Sequence, residues 1–204
     1  LFPKRCVGCK STGLFLCLNC AEKIPPCEHI NLRWINSMWS YKDPRIKKLL
    51  WKFKFEKKFS AAEDLGYFSA EYLLSILSDN AIFENFTDII LVPIPLSPKS
   101  RKSRGYNQSE LLAKEISAHL GRGYRTENFL VKVKETNSQH SIKNRSERLK
   151  NLKDSYVVKN PSQVVGKNIL LIDDITTTHA TLCEAKRALK QAGANKIMGF
   201  TIAH

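Results

Sequence analysis

The feature that most constrains the fold is a strand–helix–strand pattern over residues 167–203. Residues 167–172 (KNILLI) form an apolar run that is typical of a strand buried on both faces of a parallel sheet. Apolar side chains then recur at helical spacing over residues 182–192, Gly193 closes this segment, and residues 196–203 form a second apolar run. Because parallel strands need a crossover connection, this order predicts an open α/β sheet.

A similar transition occurs earlier in the chain. Residues 88–92 (DIILV) predict a buried strand that ends in the proline-rich residues 93–98. A basic loop, residues 99–104, leads to a helix predicted over residues 107–120, for which Gly121 is a natural end. In open α/β sheets, ligands bind beyond the carboxyl ends of the strands, so we expect both post-strand segments to face one crevice.

The segment after the later strand has the chemistry of a sugar-phosphate site. It begins with Asp173 and Asp174 and continues as residues 175–181 (ITTTHAT). Hydroxyl and backbone N–H groups at a helix N-terminus favour phosphate, whereas adjacent carboxylates accept from a pair of sugar hydroxyls or hold hydrated Mg²⁺. The pattern predicts a ribose 5-phosphate ligand. A P-loop ATPase is excluded because the chain has no G-x-x-x-x-G-K-[ST] motif.

Paired cysteines near the start of the sequence predict a metal site. Cys6, Cys9, Cys17 and Cys20 form two C-x2-C pairs, a spacing that lets four thiolates surround a tetrahedral Zn²⁺ ion. With all four positions filled by sulfur, such a site is structural and leaves no place for a catalytic water. Two disulfides are the alternative, which fits an oxidising compartment better.

The charge of the chain favours a phosphate-bearing partner. The formal net charge is +14, from 33 Lys and Arg against 19 Asp and Glu. These charges are segregated, since residues 61–98 contain no Lys or Arg and the basic residues lie before and after them. Such a field attracts polyanions or phosphorylated small molecules. A merely solubilising surface is the alternative interpretation.

A basic amphipathic helix is predicted after Asp43 and Pro44, which read as an N-cap and a first helical residue. Aromatic residues interleaved with lysines can stack bases of a single strand while the lysines follow its backbone. In the plainer interpretation the aromatics pack inward, as Phe53 does, and the lysines are solvated. The basic residues that would contact nucleic acid are Lys47, Lys48, Lys52, Lys99, Arg101 and Lys102.

Composition is that of a globular protein. Hydrophobic residues make up 43% of the chain and charged residues 25%. No uncharged apolar run approaches the roughly 18 residues of a membrane-spanning helix. The first residues, LFPKRC, also lack the apolar core of a secretory signal. We therefore expect a soluble, cytoplasmic protein.

Taken together, these motifs resemble the ComF family of competence-associated, phosphoribosyltransferase-like proteins. The resemblance covers nearly the whole chain, and the motifs occur in the family's order. They are the cysteine pairs, residues 92–97 (VPIPLS), residues 104–108 (RGYNQ), Gln139, residues 148–151 (RLKN) and residues 173–181 (DDITTTHAT).

The resemblance implies a type I phosphoribosyltransferase-like parallel sheet flanked by helices, with a small N-terminal four-cysteine zinc-binding module. We expect the module over residues 1–35 and the phosphoribosyltransferase-like domain over residues 36–204. The implied ligand is phosphoribosyl pyrophosphate or a related ribose phosphate with Mg²⁺, and zinc is the structural metal. Single-stranded DNA and DNA-uptake proteins are the other implied partners.

Residue roles follow from the same resemblance. Asp173 and Asp174 hold the ribose hydroxyls, and Arg104, together with the basic residues of the loop that precedes it, neutralises pyrophosphate. The phosphate loop comprises Thr176, Thr177, Thr178, His179, Ala180 and Thr181, and the pyrophosphate cradle comprises Pro95, Leu96 and Ser97.

His179 departs from the family pattern, which has glycine after the Thr-Thr pair. A Cβ there can crowd the phosphate, or the imidazole can donate a hydrogen bond to it. Two functions therefore stay open. The first is an enzyme that transfers a phosphoribosyl group to an acceptor, and the second is a catalytically inactive protein that handles single-stranded DNA.

Overall fold

Strands and helices alternate along most of the chain. The computed structural model describes residues 3–28, 32–56, 59–134 and 152–204. Within them, no helix is both long and apolar enough to cross a membrane. The helices are α1 (Leu18–Ala21), α2 (Pro44–Phe55), α3 (Ser60–Glu84), α4 (Pro98–Arg104), α5 (Gln108–Leu120) and α6 (Ala180–Gln191). The strands are β1 (Ile35–Trp39), β2 (Ile89–Pro93), β3 (Arg125–Thr126), β4 (Leu130–Lys132), β5 (Tyr156–Val158), β6 (Asn168–Ile175) and β7 (Ile197–Ala203).

The main sheet is parallel and has a switch point at its centre. Its strand order is β1-β7-β6-β2-β3, and every neighbouring pair is parallel. From β2 the chain moves outward to β3, whereas from β6 it moves to β7 on the other side. Because the chain leaves these two adjacent strands in opposite directions, a crevice forms at their carboxyl ends. The predicted open α/β sheet flanked by helices is confirmed, and its crevice lies beyond β2 and β6.

Helices cover both faces of this sheet. Side chains of β6 alternate, so that Leu170 joins the buried cluster of α3 and α5 while Leu171 joins the cluster of α6, β4 and β5. Helices α3 and α5 pack closely at Gly66, where an added Cβ would lie 2.4 Å from the Cβ of Glu115. The apolar run of β6 therefore has the two-sided burial that its sequence pattern indicates.

The N-terminal cysteine segment packs on α2 and α3. The backbone N–H of Phe15 donates to the buried Asp64 carboxylate at 2.6 Å. From α2, the Arg45 guanidinium donates to the carbonyls of Cys20 and Lys23 at 3.3 and 2.6 Å. These polar contacts fix the orientation of the segment. Its buried apolar side chains also belong to the same hydrophobic cluster as those of α2. A domain boundary at residue 35 stays a prediction.

Two local expectations are corrected by the structure. The strand predicted to end at residue 172 continues to Ile175, because β7 pairs with it as far as Ile175↔Ala203, so the acidic pair lies on β6 and not in the loop. The basic loop over residues 99–104 is helix α4. Ser97 caps this helix by accepting from the Ser100 N–H, and Gly105 ends it with φ of +81°.

Candidate functional site

Two carboxylates lie side by side at the end of β6. The Asp173 Oδ1 atom accepts from the Ser109 hydroxyl and from the Asp174 backbone N–H, both at 2.9 Å. Asp174 is 3% exposed, and its Oδ2 lies 2.9 Å from the Lys54 Nζ and 3.4 Å from the Gln108 Nε2. The acidic pair predicted from the sequence is therefore at the switch point, held by the N-terminus of α5 and by α2.

Lys54, Gln108 and Ser109 are site residues that our sequence analysis missed. Gln108 and Ser109 begin α5 because the side chain of Asn107 caps that helix through the Ser109 N–H. The RGYNQ motif that ends at Gln108 is the signal that could have identified it. No such signal identifies Lys54, because nothing in the helical pattern distinguishes this residue from the other lysines of α2.

Gln108, whose Nε2 faces Asp174, has an unmet hydrogen-bonding capacity at its other amide atom. The residue is 4% exposed, and its Oε1 has no hydrogen-bond partner in the part of the chain that the structure describes. Buried amide oxygens are almost always paired in folded proteins. A donor supplied by a ligand, or a cation, would satisfy this atom beside the Asp174 carboxylate.

The environment of Asp173 raises its pKa. Burial is the main cause and the neighbouring Asp174 carboxylate adds to it, while Lys54 and the hydrogen bonds that Asp173 accepts act in the opposite direction. The resulting pKa is about 7. Two adjacent carboxylates with a single lysine resist full ionisation, so a ligand that brings hydroxyl donors or positive charge is favoured here.

The threonine-rich loop joins this acidic pair to α6. Thr176 is buried, Thr177 is exposed and Thr178 is partly exposed. His179 is the N-cap of α6 and has φ of +60°, in the left-handed region that glycine adopts freely. Its Nδ1 lies 3.1 Å from the Thr176 Oγ1. The backbone at the position of the family's glycine thus has a glycine-like conformation, at a cost of about 1 kcal/mol for histidine.

The imidazole of His179 lies on the buried side of the loop. It is 9% exposed, and its ring stacks on that of His204 with a centroid separation of 4.7 Å. The His204 Nδ1 in turn lies 3.1 Å from the Thr176 carbonyl oxygen. The His179 side chain therefore packs against Thr176 at the start of the loop. Ala180 and Thr181 are the first two residues of α6.

The segment after β2 lies next to the acidic strand. The Ile94 N–H donates to the Ile172 carbonyl at 2.9 Å, which brings Pro95, Leu96 and Ser97 to the same edge of the sheet as Asp173. Pro95 and Leu96 are partly exposed, whereas Ser97 is buried and uses its hydroxyl to cap α4. The structure brings these three residues to the crevice, and their proposed ligand contacts stay a prediction.

Arg104 lies at the end of α4, next to Phe55 of α2. Its guanidinium carbon is 5.5 Å from the ring centroid of Phe55. The neighbouring Tyr106 donates to the Phe53 carbonyl. Burial raises the pKa of Tyr106, and Arg104 and Asp174 shift it in opposite directions. Tyr106 is therefore close enough to Arg104 and Asp174 to be affected by both charges.

The other basic residues of α4 point to solvent. Lys99, Arg101 and Lys102 are exposed, and Arg101 lies 3.5 Å from the Glu110 carboxylate. None of the described contacts brings them to Asp173 or Asp174. They form a basic rim at the carboxyl edge of the sheet, where solvated cations can meet an incoming phosphate.

The four N-terminal cysteines converge on one point. Their sulfur atoms all lie within 4.8 Å of one another, and the Cys17 Sγ is 3.7 Å from that of Cys6 and 3.6 Å from that of Cys9. Tetrahedral Zn²⁺ with Zn–S bonds of about 2.3 Å requires S–S distances of about 3.8 Å, which these sulfurs match. The cluster can hold a metal such as zinc, and none of the described cysteines forms a disulfide.

Protonation in this cluster also suits a metal. Hydrogen bonds from the Ser11 hydroxyl and backbone N–H lower the pKa of the Cys9 thiol to about 6. Contact with the Cys17 thiol, together with burial, raises the pKa of Cys20 to about 12. Four thiolates this close repel one another, and a divalent cation removes that repulsion and favours all four in the deprotonated state.

The basic helix α2 has a more exposed aromatic face than expected. Phe53 is buried as predicted, but Trp51 is 54% and Phe55 is 56% exposed, so inward packing is wrong for these two. Lys47 and Lys48 are exposed, and Lys52 lies 2.7 Å from the Glu56 carboxylate. Of the residues predicted to contact nucleic acid, the three on α2 (Lys47, Lys48 and Lys52) thus lie on an accessible helix.

Replacing Lys54 by Met is expected to destabilise the protein. The change leaves the buried Asp174 carboxylate without its 2.9 Å ion pair, which costs roughly 3 kcal/mol and lowers the melting temperature by about 10 °C. Lys114→Met is a matched control, since Lys114 is exposed and lies 3.6 Å from Glu110. Its melting temperature should change by about 1 °C. Equal shifts in the two variants would contradict the importance of the Lys54 contact.

Asp173 is expected to make the folded state less stable as pH rises. Its pKa is about 7 in the folded chain and roughly 4 in the unfolded chain, so between these values only the folded chain keeps the proton. From pH 5 to pH 8 the melting temperature of the wild type should therefore fall relative to that of Asp173→Asn. Asp88→Asn, at an exposed position, should follow the wild type. A constant difference between wild type and Asp173→Asn would contradict this pKa.

Curated proteins with similar sequences share one family. The chain is 30% identical over 211 residues to "Competence protein ComFC" of Streptococcus pneumoniae, an alignment that covers 97% of this chain and 86% of that protein. It is 33% identical over 172 residues to "Competence protein ComFC" of Bacillus subtilis, covering 84% of this chain and 64% of that protein. "DNA utilization protein YhgH" of Salmonella typhimurium is 28% identical over 178 residues, or 87% of this chain and 73% of that protein.

These matches differ in how much of each relative they cover. No family model matches the chain. It spans less than two thirds of the length of the Bacillus subtilis relative. The Streptococcus pneumoniae match, in contrast, covers nearly the full chain and most of the relative. The chain therefore belongs to the ComF family.

Proposed function

We propose that the crevice beyond β2 and β6 binds phosphoribosyl pyrophosphate or a closely related ribose phosphate. One observation supports this most strongly. Asp173 and Asp174 end a central strand at the topological switch point, and a threonine-rich loop joins them directly to the N-terminus of α6. Paired acceptors for ribose hydroxyls thus adjoin a helix N-terminus that favours phosphate.

Each part of the ligand has matching residues in this arrangement. The carboxylates of Asp173 and Asp174 accept from the two ribose hydroxyls, and residues 176–181 enclose the 5-phosphate. The segment at residues 95–97, partly exposed at Pro95 and Leu96, adjoins the pyrophosphate, whose charge Arg104 offsets. Ligand hydroxyls and Lys54 compete for the same Asp174 oxygen, so binding must displace or share the Lys54 ammonium.

Mg²⁺ fits the donor set at this edge. Carboxylate oxygens and the unpaired Gln108 Oε1 are the hard oxygen ligands that Mg²⁺ accepts, usually together with waters and substrate phosphates. When bound, the ion would neutralise pyrophosphate charge. The reaction class that this site fits is phosphoribosyl transfer, in which the bond from the anomeric carbon to pyrophosphate breaks and one to an acceptor forms.

Titration calorimetry tests the proposed ligand. Phosphoribosyl pyrophosphate with Mg²⁺ should bind with a dissociation constant of about 100 μM or lower, a free energy of roughly 5.5 kcal/mol. ATP with Mg²⁺ is the control for non-specific attraction to a basic protein and should bind at least tenfold more weakly. No heat of binding at millimolar ligand, or equal affinity for ATP, would contradict the proposal.

A second function is favoured by the exposed face of α2. The relatives named above are competence and DNA utilization proteins, and we propose that this chain handles single-stranded DNA in uptake. Trp51 and Phe55 are exposed, with ring centroids 6.0 Å apart, and they lie among the lysines of α2. Exposed aromatics beside cations are the elements of a sequence-tolerant single-strand site.

The stacking role has its own test. Trp51→Ala should weaken binding of a fluorescently labelled dT oligonucleotide about tenfold, because stacking on one base contributes about 1–3 kcal/mol. Phe83→Ala is the matched control, since Phe83 is 80% exposed at the end of the acidic helix α3. Equal affinities of the Trp51 and Phe83 variants would contradict base stacking at Trp51.

A further inference from the structure

A cationic cavity lies between the cysteine module and α2, on residues that the sugar-phosphate site does not use. Its volume is about 460 Å³. The module contributes Arg5, Lys10 and the metal-site residue Cys6, and α2 with its C-cap contributes Lys48, Lys52 and Glu56. Four cations and one carboxylate therefore line a concave surface, which is the charge pattern of a phosphate site.

The positive charge of this cavity is only partly compensated, both by Glu56 and by the metal-loaded four-thiolate cluster, whose net charge of about −2 adjoins the cavity at Cys6. Lys52 pairs with Glu56 at 2.7 Å. Arg5, Lys10 and Lys48 form no ion pair within the described part of the chain. Lys48 lies close enough to Lys10 for that neighbour to lower its pKa, although both side chains are exposed. Exposed lysines normally separate to reduce their electrostatic repulsion. An anion bound between Lys10 and Lys48 would remove the free-energy cost of that repulsion.

The fold holds these cations together. Lys10 follows the first cysteine pair with φ of +69°, and its backbone N–H donates to the Cys6 carbonyl at 3.1 Å. Its ammonium also donates to the Val7 carbonyl at 3.1 Å, which points the side chain back toward the turn. Across the cavity, Lys48 and Lys52 occupy i and i+4 positions on one face of α2. The module and the helix thus present opposed cations.

Exposed aromatics continue this surface. On α2, Trp51 and Phe55 each follow a lysine of the cavity by three residues. Because residues at i and i+3 are neighbours on a helix, both rings lie beside the helix face that carries Lys48 and Lys52. Their exposed fractions of 54% and 56% leave much of each ring accessible to bases, and the Arg104 guanidinium lies over one face of Phe55, 5.5 Å from its centroid. We propose that the cavity binds two neighbouring backbone phosphates of a single-stranded nucleic acid, whose adjacent bases stack on Trp51 and Phe55.

This inference rests on the proposed single-strand function, and it adds an anchoring site formed jointly by the cysteine module and α2. It assigns a ligand-binding role to Arg5 and Lys10, which lie outside the basic helix. The four-cysteine cluster then has a consequence for binding, because it fixes the turn that carries Lys10.

The test compares salt-dependent binding of a fluorescently labelled dT oligonucleotide to three proteins. They are the wild type, the cavity variant Lys10→Gln/Lys48→Gln, and the control Lys114→Gln/Arg122→Gln, which removes the same charge from exposed positions of α5 and the residues after it. The cavity variant should bind about tenfold more weakly or worse at 50 mM salt. Its log–log salt slope should fall by about 1.4, which corresponds to two phosphate contacts. The control should keep the wild-type slope.

Each outcome separates the two proposals. If the wild type shows no salt-dependent binding, the single-strand function itself fails. If the wild type binds and the cavity and control variants lose affinity equally, the effect is one of net charge and the cavity proposal is overturned. Unchanged melting temperatures show that both variants are folded. Should the cavity variant unfold, Arg5→Gln with the same readouts, expected to reduce the slope by about 0.7, replaces it.

Discussion

Asp174→Asn should abolish the rise in melting temperature that phosphoribosyl pyrophosphate with Mg²⁺ causes in the wild type. The change keeps the shape of the side chain but removes its charge, and it replaces one acceptor oxygen with an amide donor that faces the ribose hydroxyls. Hydrogen bonds to charged groups contribute about 1.5–3 kcal/mol each, so the affinity should fall about 100-fold. At a ligand concentration tenfold above the wild-type dissociation constant, the variant's shift becomes negligible.

The control for this experiment is Asp79→Asn, an equal change of charge at an exposed position of α3. It should respond to ligand as the wild type does. Asp174→Asn also leaves Lys54 without its ion pair, so each variant is compared with its own ligand-free melting temperature. If Asp174→Asn kept the full ligand-dependent shift, the acidic pair would not be the ribose site.

Cys20→Ser is expected to have the largest effect on stability. Cys20 is buried at the contact of the module with α2, where the Arg45 guanidinium holds its carbonyl. Loss of one thiolate from a four-cysteine site weakens a metal whose binding contributes about 10 kcal/mol or more in small zinc domains. Purified wild type should contain about one zinc atom per chain, and the variant well under half of that. Its melting temperature should be lower by about 10 °C or more.

Cys27→Ser distinguishes metal loss from loss of a thiol elsewhere in the N-terminal segment. Cys27 lies outside the four-cysteine cluster and donates to the Glu28 carbonyl at 3.0 Å. Mass spectrometry of metal content should find wild-type zinc in this variant. Wild-type zinc in Cys20→Ser would contradict the assignment of the cluster, and so would a wild-type protein that is fully folded without metal.

The predictable part of the fold is the part whose residues are buried on both faces. Short, continuous apolar runs are typical of strands buried on both faces of a parallel sheet, and the two runs of this kind form β2 and β6. Their parallel pairing follows from the helices that connect them. The acidic pair and the threonine loop were predictable because their chemistry is local. The cysteine cluster was predictable for the same reason, since its spacing alone places four sulfurs near one another.

Contacts between distant segments were not predictable from sequence patterns. The ion pair of Lys54 with Asp174 joins α2 to β6, and only the packing of α2 on the sheet brings them together. The basic residues 99–104 have no apolar periodicity, and α4 forms there because Ser97, Pro98 and Gly105 provide its ends. Residues 139 and 148–151, which the family resemblance includes, lie outside the described part of the chain.

His179 shows where a sequence-based prediction depends on the backbone conformation. The sequence left open whether a side chain in place of the family's glycine crowds a phosphate or donates a hydrogen bond to it. In the structure, the backbone keeps the left-handed conformation, with φ of +60°, and the imidazole turns toward Thr176 and His204. We infer that the substitution is compatible with the proposed phosphate loop, since the ring lies behind the loop on its buried side.

A crystal structure of the protein soaked with phosphoribosyl pyrophosphate and Mg²⁺ tests the account most directly. We expect density for the ribose with both hydroxyls within hydrogen-bond distance of Asp173 and Asp174, and for the 5-phosphate against residues 176–181. The Lys54 ammonium should have moved from the position 2.9 Å from Asp174 Oδ2. Density for the sugar phosphate at any other surface, with the Lys54 contact intact, would contradict the account.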